Sequence, residues 1–140
     1  MKKIKFQTTI NASSEKLWQV LWSDSTYRQW TAAFTEGSYA ESDWQEGSKI
    51  LFLSTGGNGM FAIIEKSIPG KQMTFRHQGE IKNGVEEKKE WGNAEESYYL
   101  QEENGKTELT VEVDATAEFQ QYFEDTFPKA MKILKEIAEK

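Results

Sequence analysis

Thr107–Ala138 reads TELTVEVDATAEFQQYFEDTFPKAMKILKEIA, and it changes period part-way along. Leu109, Val111 and Val113 alternate with Thr110, Glu112 and Asp114, the two-residue repeat of a strand with one buried face. From about Ala117 the spacing becomes that of a helix. Phe119, Tyr122, Phe123, Phe127, Ala130, Leu134, Ile137 and Ala138 form one broad apolar stripe, with Gln120, Glu124, Asp125, Lys129, Lys132 and Glu136 mostly opposite. Asp125–Lys129 and Glu136–Lys140 have the acid-before-base i,i+4 order that supports a helix. Pro128 removes one backbone hydrogen bond, so a kink or restart is expected there, although the stripe runs past it. A half-buried strand feeding a long amphipathic helix implies a sheet that packs one face on that helix.

Upstream, the strand pattern recurs. Ile4, Phe6, Thr8 and Ile10 alternate with Lys5, Gln7 and Thr9, and Asn11-Ala12-Ser13-Ser14 then offers helix-capping side chains. Leu17, Trp18, Val20, Leu21 and Trp22 predict a short helix, and Asp24-Ser25 opens a second one towards Phe34. Ser38–Glu41 reads as a weak strand and Lys49–Ser54 as a stronger one. The latter meets Met60–Ser67 across the turn Thr55-Gly56-Gly57-Asn58-Gly59. Ile68-Pro69-Gly70-Lys71 turns the chain into Gln72–Glu80. Ile81–Asn93 has little periodicity and reads as a long loop or twisted hairpin tip. Glu95–Glu102 pairs with Thr107–Ala115 across Glu103-Asn104-Gly105-Lys106. The expectation is one α+β domain over residues 1–140: six to seven antiparallel strands, two short helices after the first, and one long C-terminal helix. No linker or internal repeat interrupts it.

The 140 residues contain no cysteine and one histidine, which excludes disulfides, thiol nucleophiles, Cys-zinc sites and His-rich metal cages. No metal and no cofactor is expected. The net charge is −6. Most of it falls between Glu80 and Glu103, where Glu80, Glu86, Glu87, Glu90, Glu95, Glu96, Glu102 and Glu103 face only Lys82, Lys88 and Lys89. An acidic field repels phosphate backbones and anionic lipid, so neither nucleic acid nor a membrane is an expected partner. The segment reads as a solvated hairpin, or as a docking patch for a protein with a basic surface. No apolar run follows Met1-Lys2-Lys3 as a signal peptide requires, and none is long enough to span a bilayer, so the cytoplasm is the expected location.

Catalytic motifs are absent. Gly105-Lys106-Thr107 echoes the end of a P-loop, but Leu100 stands where its first glycine belongs. The paired carboxylates lie in charged runs, where solvation leaves them without an acid–base role. His77 shares strand parity with Met73 and Phe75 and is expected to face inward, with Arg76 outward. Spacing names no acid or serine partner for it, so no catalytic residue is assigned. The five tryptophans, five tyrosines and eight phenylalanines are more informative, because aromatics can line a concave pocket or fill it.

Five motifs then resemble one family in order. Phe6-Gln7-Thr8-Thr9-Ile10-Asn11-Ala12-Ser13-Ser14-Glu15-Lys16-Leu17-Trp18 with Tyr27-Arg28-Gln29-Trp30 resembles the opening of START-like (SRPBCC) domains. Asp43-Trp44-Gln45-Glu46-Gly47-Ser48-Lys49-Ile50-Leu51-Phe52 and Ile68-Pro69-Gly70-Lys71-Gln72-Met73-Thr74-Phe75 are similar to two turn-and-strand motifs of the branch named for activators of the heat-shock-protein-90 ATPase. Gly105–Thr110 and Phe127-Pro128-Lys129-Ala130-Met131 are similar to its last strand and helix. Phe127 replaces the branch's usual tryptophan, and Ser48 its second turn glycine. The resemblance implies a helix-grip fold: a curved antiparallel sheet around the C-terminal helix, with a cavity between them. It implies functions from hydrophobic-ligand binding to co-chaperone activity and cofactor-free cyclase or hydrolase chemistry, and fold does not choose among them.

The leading expectation is binding of a small hydrophobic or aromatic molecule. Trp22, Trp30, Phe52, Phe75, His77, Tyr98, Phe123 and Phe127 are the expected lining, with His77 and Tyr98 orienting the ligand. The alternatives are a co-chaperone-like module that docks through the 80–103 hairpin, and a cofactor-free enzyme using His77 or Tyr98.

Overall fold

The computed structural model describes residues 1–91 and 94–140. Strand β1 (Lys2–Ile10) leads into helices α1 (Ser14–Trp22) and α2 (Asp24–Thr31). Strands β2 (Tyr39–Glu41), β3 (Lys49–Ser54), β4 (Asn58–Ile68), β5 (Gln72–Lys82), β6 (Val85–Lys88), β7 (Glu95–Glu103) and β8 (Lys106–Ala115) follow, and helix α3 (Ala117–Ala138) closes the chain. The sheet is antiparallel, with order β1-β8-β7-β5-β4-β3-β2 and β6 paired to the far end of β5. This is the expected helix-grip architecture with eight strands.

The extra strand is β6, in the stretch read as a loop or hairpin tip. Asn83 and Gly84 both adopt positive φ, 52° and 80°, as a tight two-residue hairpin turn requires. They pair Val85–Lys88 back onto Gly79–Lys82. All four β6 residues are exposed, so no apolar alternation marks the strand. Gly92 and Asn93, which end that stretch of the sequence, lie outside the described residues. The β4–β5 register shifts between Phe61 and Ala62 and again between Ile64 and Lys66, so strict alternation cannot tell inward from outward along β4.

Local chemistry fixes the two short helices. Ser13 caps α1, its hydroxyl accepting from the Lys16 backbone N–H at 3.1 Å. The Trp30 indole donates back to the Leu21 carbonyl at 3.1 Å, and the Thr26 hydroxyl to that of Val20 at 2.6 Å, so α2 satisfies the end of α1. Trp44, in the β2–β3 connection, has φ of 61°, a strained conformation for a side chain of its size. Its ring packs 5.6 Å from that of Trp22, and this burial offsets the strain.

Helix α3 runs as one element through Pro128, the single long C-terminal helix that the continuous stripe predicts. Its two halves differ. Ala130, Leu134 and Ala138 are sealed against the sheet, whereas Phe119 and Tyr122 remain 36% and 39% exposed. One end of the sheet–helix interface is therefore solid core. The other end is open.

Candidate functional site

At that open end lies a cavity of about 230 Å³ between α2, the first half of α3 and strands β3, β4, β5, β7 and β8. Its wall is largely aromatic. Trp30, Phe52, Tyr98, Phe123 and Phe127 line it, as expected from the sequence, and His77 joins them. Trp22 and Phe75 do not. They stand behind the wall, with Trp22 5.5 Å from Phe75 and 5.0 Å from Tyr98 between ring centres. Both are too deep to reach the space, because α1 delivers Trp22 beneath Trp30 and the turned-in Tyr98 screens Phe75. Tyr27, Phe34, Met60, Phe119 and Tyr122 also contribute to the lining. The Tyr122 hydroxyl donates to the Phe34 carbonyl at 2.7 Å and ties α3 to the segment after α2.

A polar group is set into this wall. The Glu96 carboxylate lies 3.0 Å through Oε1 from His77 Nε2, and its Oε2 accepts from the Tyr98 hydroxyl. A carboxylate only accepts, so Nε2 is the donor in this bond. Nδ1 is buried and has no partner. Burial and then the charge of Glu96 push the Tyr98 phenol well above its ordinary range, and the same causes raise Tyr27. Both hydroxyls therefore stay protonated, and that of Tyr98 donates to Glu96.

Glu96 departs from the sequence expectation of a solvated carboxylate: it is the acid partner of His77. The signal was available: Glu96 and Tyr98 sit two apart on one strand and must share a face. His77 faces inward as expected. Arg76 points out, its guanidinium 3.2 Å from Glu65. As a catalytic pair His77–Glu96 is poorly disposed, since the free Nδ1 is enclosed in the wall. Among the described residues no three histidine, aspartate or glutamate side chains gather as a metal cage would need.

The acidic hairpin is less free than its charge suggests. Glu86 pairs with Lys49 of β3 at 2.5 Å, Glu87 with Lys89 at 2.9 Å, and Glu102 accepts from the Ser14 backbone N–H at 2.7 Å. With Glu96 turned inward, much of the acidic run is spent within the fold.

Glu95 points away from Glu96 and meets Glu65. Its carboxyl is pushed up to about 7, first by the hydrogen bond it shares with Glu65 and then by partial burial. In the unfolded chain its value is the ordinary 4.5. Between these values the folded chain holds a proton that the unfolded chain has released, so this contribution to stability falls as pH rises from 4.5 to about 7. Glu95→Gln should flatten that slope in thermal melts taken from pH 4.5 to pH 8. An unchanged slope would assign the effect to another group.

The sequence model for activator of Hsp90 ATPase homolog 1-like proteins matches residues 11–139, nearly the whole of this fold. The chain belongs to that family. Among functionally curated proteins none matches it in sequence. Solved structures similar to this family member include the solution structure of the Aha1 dimer from Colwellia psychrerythraea. It has a TM-score of 0.78 and 24% identity over 99% of this chain and 97% of that one. CalU16 from Micromonospora echinospora superposes with a TM-score of 0.71 at 15% identity, over 97% of this chain and 75% of that one. DynU16, a protein in the dynemicin biosynthetic locus, gives a TM-score of 0.71 at 10% identity, over 97% of this chain but 46% of its own. At these identities the likeness establishes the shared fold. No helix among the described residues of the family member is long and apolar enough to cross a membrane.

Proposed function

We propose that this member of the activator of Hsp90 ATPase homolog 1-like family binds a small hydrophobic molecule in the cavity between its sheet and α3. The observation that carries this reading is an aromatic-walled space of about 230 Å³ with one polar cluster set into it. An apolar cavity of about 150 Å³ accepts a single benzene ring. The larger volume suits a bicyclic or substituted aromatic body. Trp30, Phe52, Phe123 and Phe127 supply the apolar contact, and Glu96, His77 and Tyr98 orient a polar substituent. A docking role for the acidic hairpin draws less support, because Glu86, Glu87 and Glu102 are already engaged.

The test is a thermal-shift and native mass-spectrometry panel of naphthalene-sized aromatics, flavonoids, fatty acids and sterols. A ligand present at 100 times its dissociation constant contributes about 2.7 kcal/mol, enough for a clear rise in the melting midpoint. The expected result is one-to-one binding of bicyclic aromatics. A panel without a single saturable binder would sink the reading.

A further inference from the structure

The charge inside the cavity is one-sided. No lysine or arginine is among the described residues that line it, whereas Glu95, Glu96 and Asp114 are. Two of these carboxylates are committed elsewhere. Glu95 bonds Glu65, and Asp114 accepts from the Glu95 backbone N–H at 3.0 Å and pairs with Lys3 at 3.2 Å. Glu96 is the one bound to cavity-lining side chains. Its side chain keeps 22% of its surface open, and each oxygen accepts one hydrogen bond where it has capacity for two.

No lysine or arginine side chain among the described lining residues offsets its charge. Met1, which also borders the cavity, is largely exposed. A carboxylate set among aromatic rings with lone pairs to spare gains from an arriving cation, which forms a charge-assisted hydrogen bond with it. The faces of Tyr27, Trp30, Phe52, Phe123 and Phe127 offer a second attraction for the same charge.

We infer that the cavity selects a hydrophobic organic cation, an ammonium group on an aromatic or branched aliphatic body, over its neutral and carboxylate analogues. The inference rests on the ligand-binding reading above and adds the sign of the ligand's charge. The ammonium donates to the open lone pairs of Glu96, while the apolar body fills the space between Phe52, Phe123 and Phe127.

Three probes with the same ring system test it by calorimetry at pH 7: 1-naphthylmethylamine, 1-naphthylmethanol and 1-naphthoate. The ammonium should bind about tenfold or more tighter than the alcohol, since charge-assisted hydrogen bonds are roughly twice as strong as neutral ones, and the naphthoate should bind weakest. Glu96→Gln should lower affinity for the ammonium by about tenfold and leave the alcohol within about twofold. Tyr98→Phe, which keeps the carboxylate, should retain the ranking. Equal or tighter binding of the alcohol or the naphthoate to the unmodified protein overturns the inference and leaves the ligand-binding reading standing. So does silence of the ammonium while any neutral member of the panel binds, and so does a ranking that survives Glu96→Gln. Silence of every probe and every panel member overturns the ligand-binding reading itself. If Glu96→Gln fails to fold, the ranking in the unmodified protein decides alone.

Discussion

Trp22→Ala should remove about 3–5 kcal/mol of folding stability, a large share of the 5–15 kcal/mol that a domain of this kind possesses. Trp22 is the hub of the aromatic cluster. Its ring lies within 6.5 Å, centre to centre, of Trp18, Trp30, Trp44, Phe75 and Tyr98, and only 8% of the residue is exposed. Truncation leaves a void bounded by rigid rings on α1, α2, β5 and β7, which cannot all move inward together. Trp22→Phe should behave differently. The indole Nε1 is buried without a partner, and an unsatisfied donor of this kind costs about 1–3 kcal/mol. Phenylalanine loses part of the packing but also that penalty, so its net effect should stay within about 1.5 kcal/mol. Urea unfolding of both variants measures the contrast. Equal destabilisation by the two would mean that the indole nitrogen has a partner and that volume is not the issue.

Gly59→Ala should be comparably damaging, by more than about 3 kcal/mol, for a different reason. A Cβ built on Gly59 would lie 1.8 Å from the Phe52 carbonyl oxygen and 2.8 Å from its carbon. Those are backbone atoms of the neighbouring strand, so no side-chain rotation relieves the clash. The β3–β4 ladder must open at its last pairs, Leu53 with Gly59 and Ser54 with Asn58. The same strand ends carry Phe52, Leu53, Ser54 and Met60 into the cavity wall, so ligand binding should fall with stability. Hydrogen exchange at Leu53 and Ser54 reads the opening directly. Gly47 is the control. Its positive φ of 90° strains an alanine, but nothing lies within 4 Å of the new carbon, so Gly47→Ala should cost only about 1–2 kcal/mol. Parity between the two variants would argue that backbone strain, not close approach, dominates at Gly59.

The fold was legible where one face is buried and the period is strict. Leu109, Val111 and Val113 are all essentially buried, and the α3 stripe ends on sealed Ala130, Leu134 and Ala138. It was illegible where tertiary context replaces periodicity. Strand β6 has four exposed residues, and only its Asn83-Gly84 turn betrays it. Along β4 the register shifts destroy the two-residue rhythm. The site follows the same division. His77 and Tyr98 were readable from strand parity, and Glu96 by the same rule, had its acidic neighbours not suggested a solvated run. Trp22 and Phe75 show the opposite limit. A sequence marks an aromatic as inward, but whether it touches a cavity or supports the ring that does depends on depth, which periodicity does not encode.

The edge strands β1 and β2, with β6 beside β5, set how copies of this protein can meet. β2 is three residues long and β6 four, and each presents too little backbone to template another strand. β1 is nine residues long, but it exposes Lys2, Lys3 and Lys5, and Lys135 occupies the Thr9 carbonyl at 2.8 Å. A second β1 aligned alongside would bring lysine rows together and would have to displace that contact. Growth by strand addition, the route to tangled or fibrillar aggregates, is therefore disfavoured at β1, β2 and β6. The protein can keep an aromatic-rich hollow open at one end without its sheet becoming a seed for precipitation.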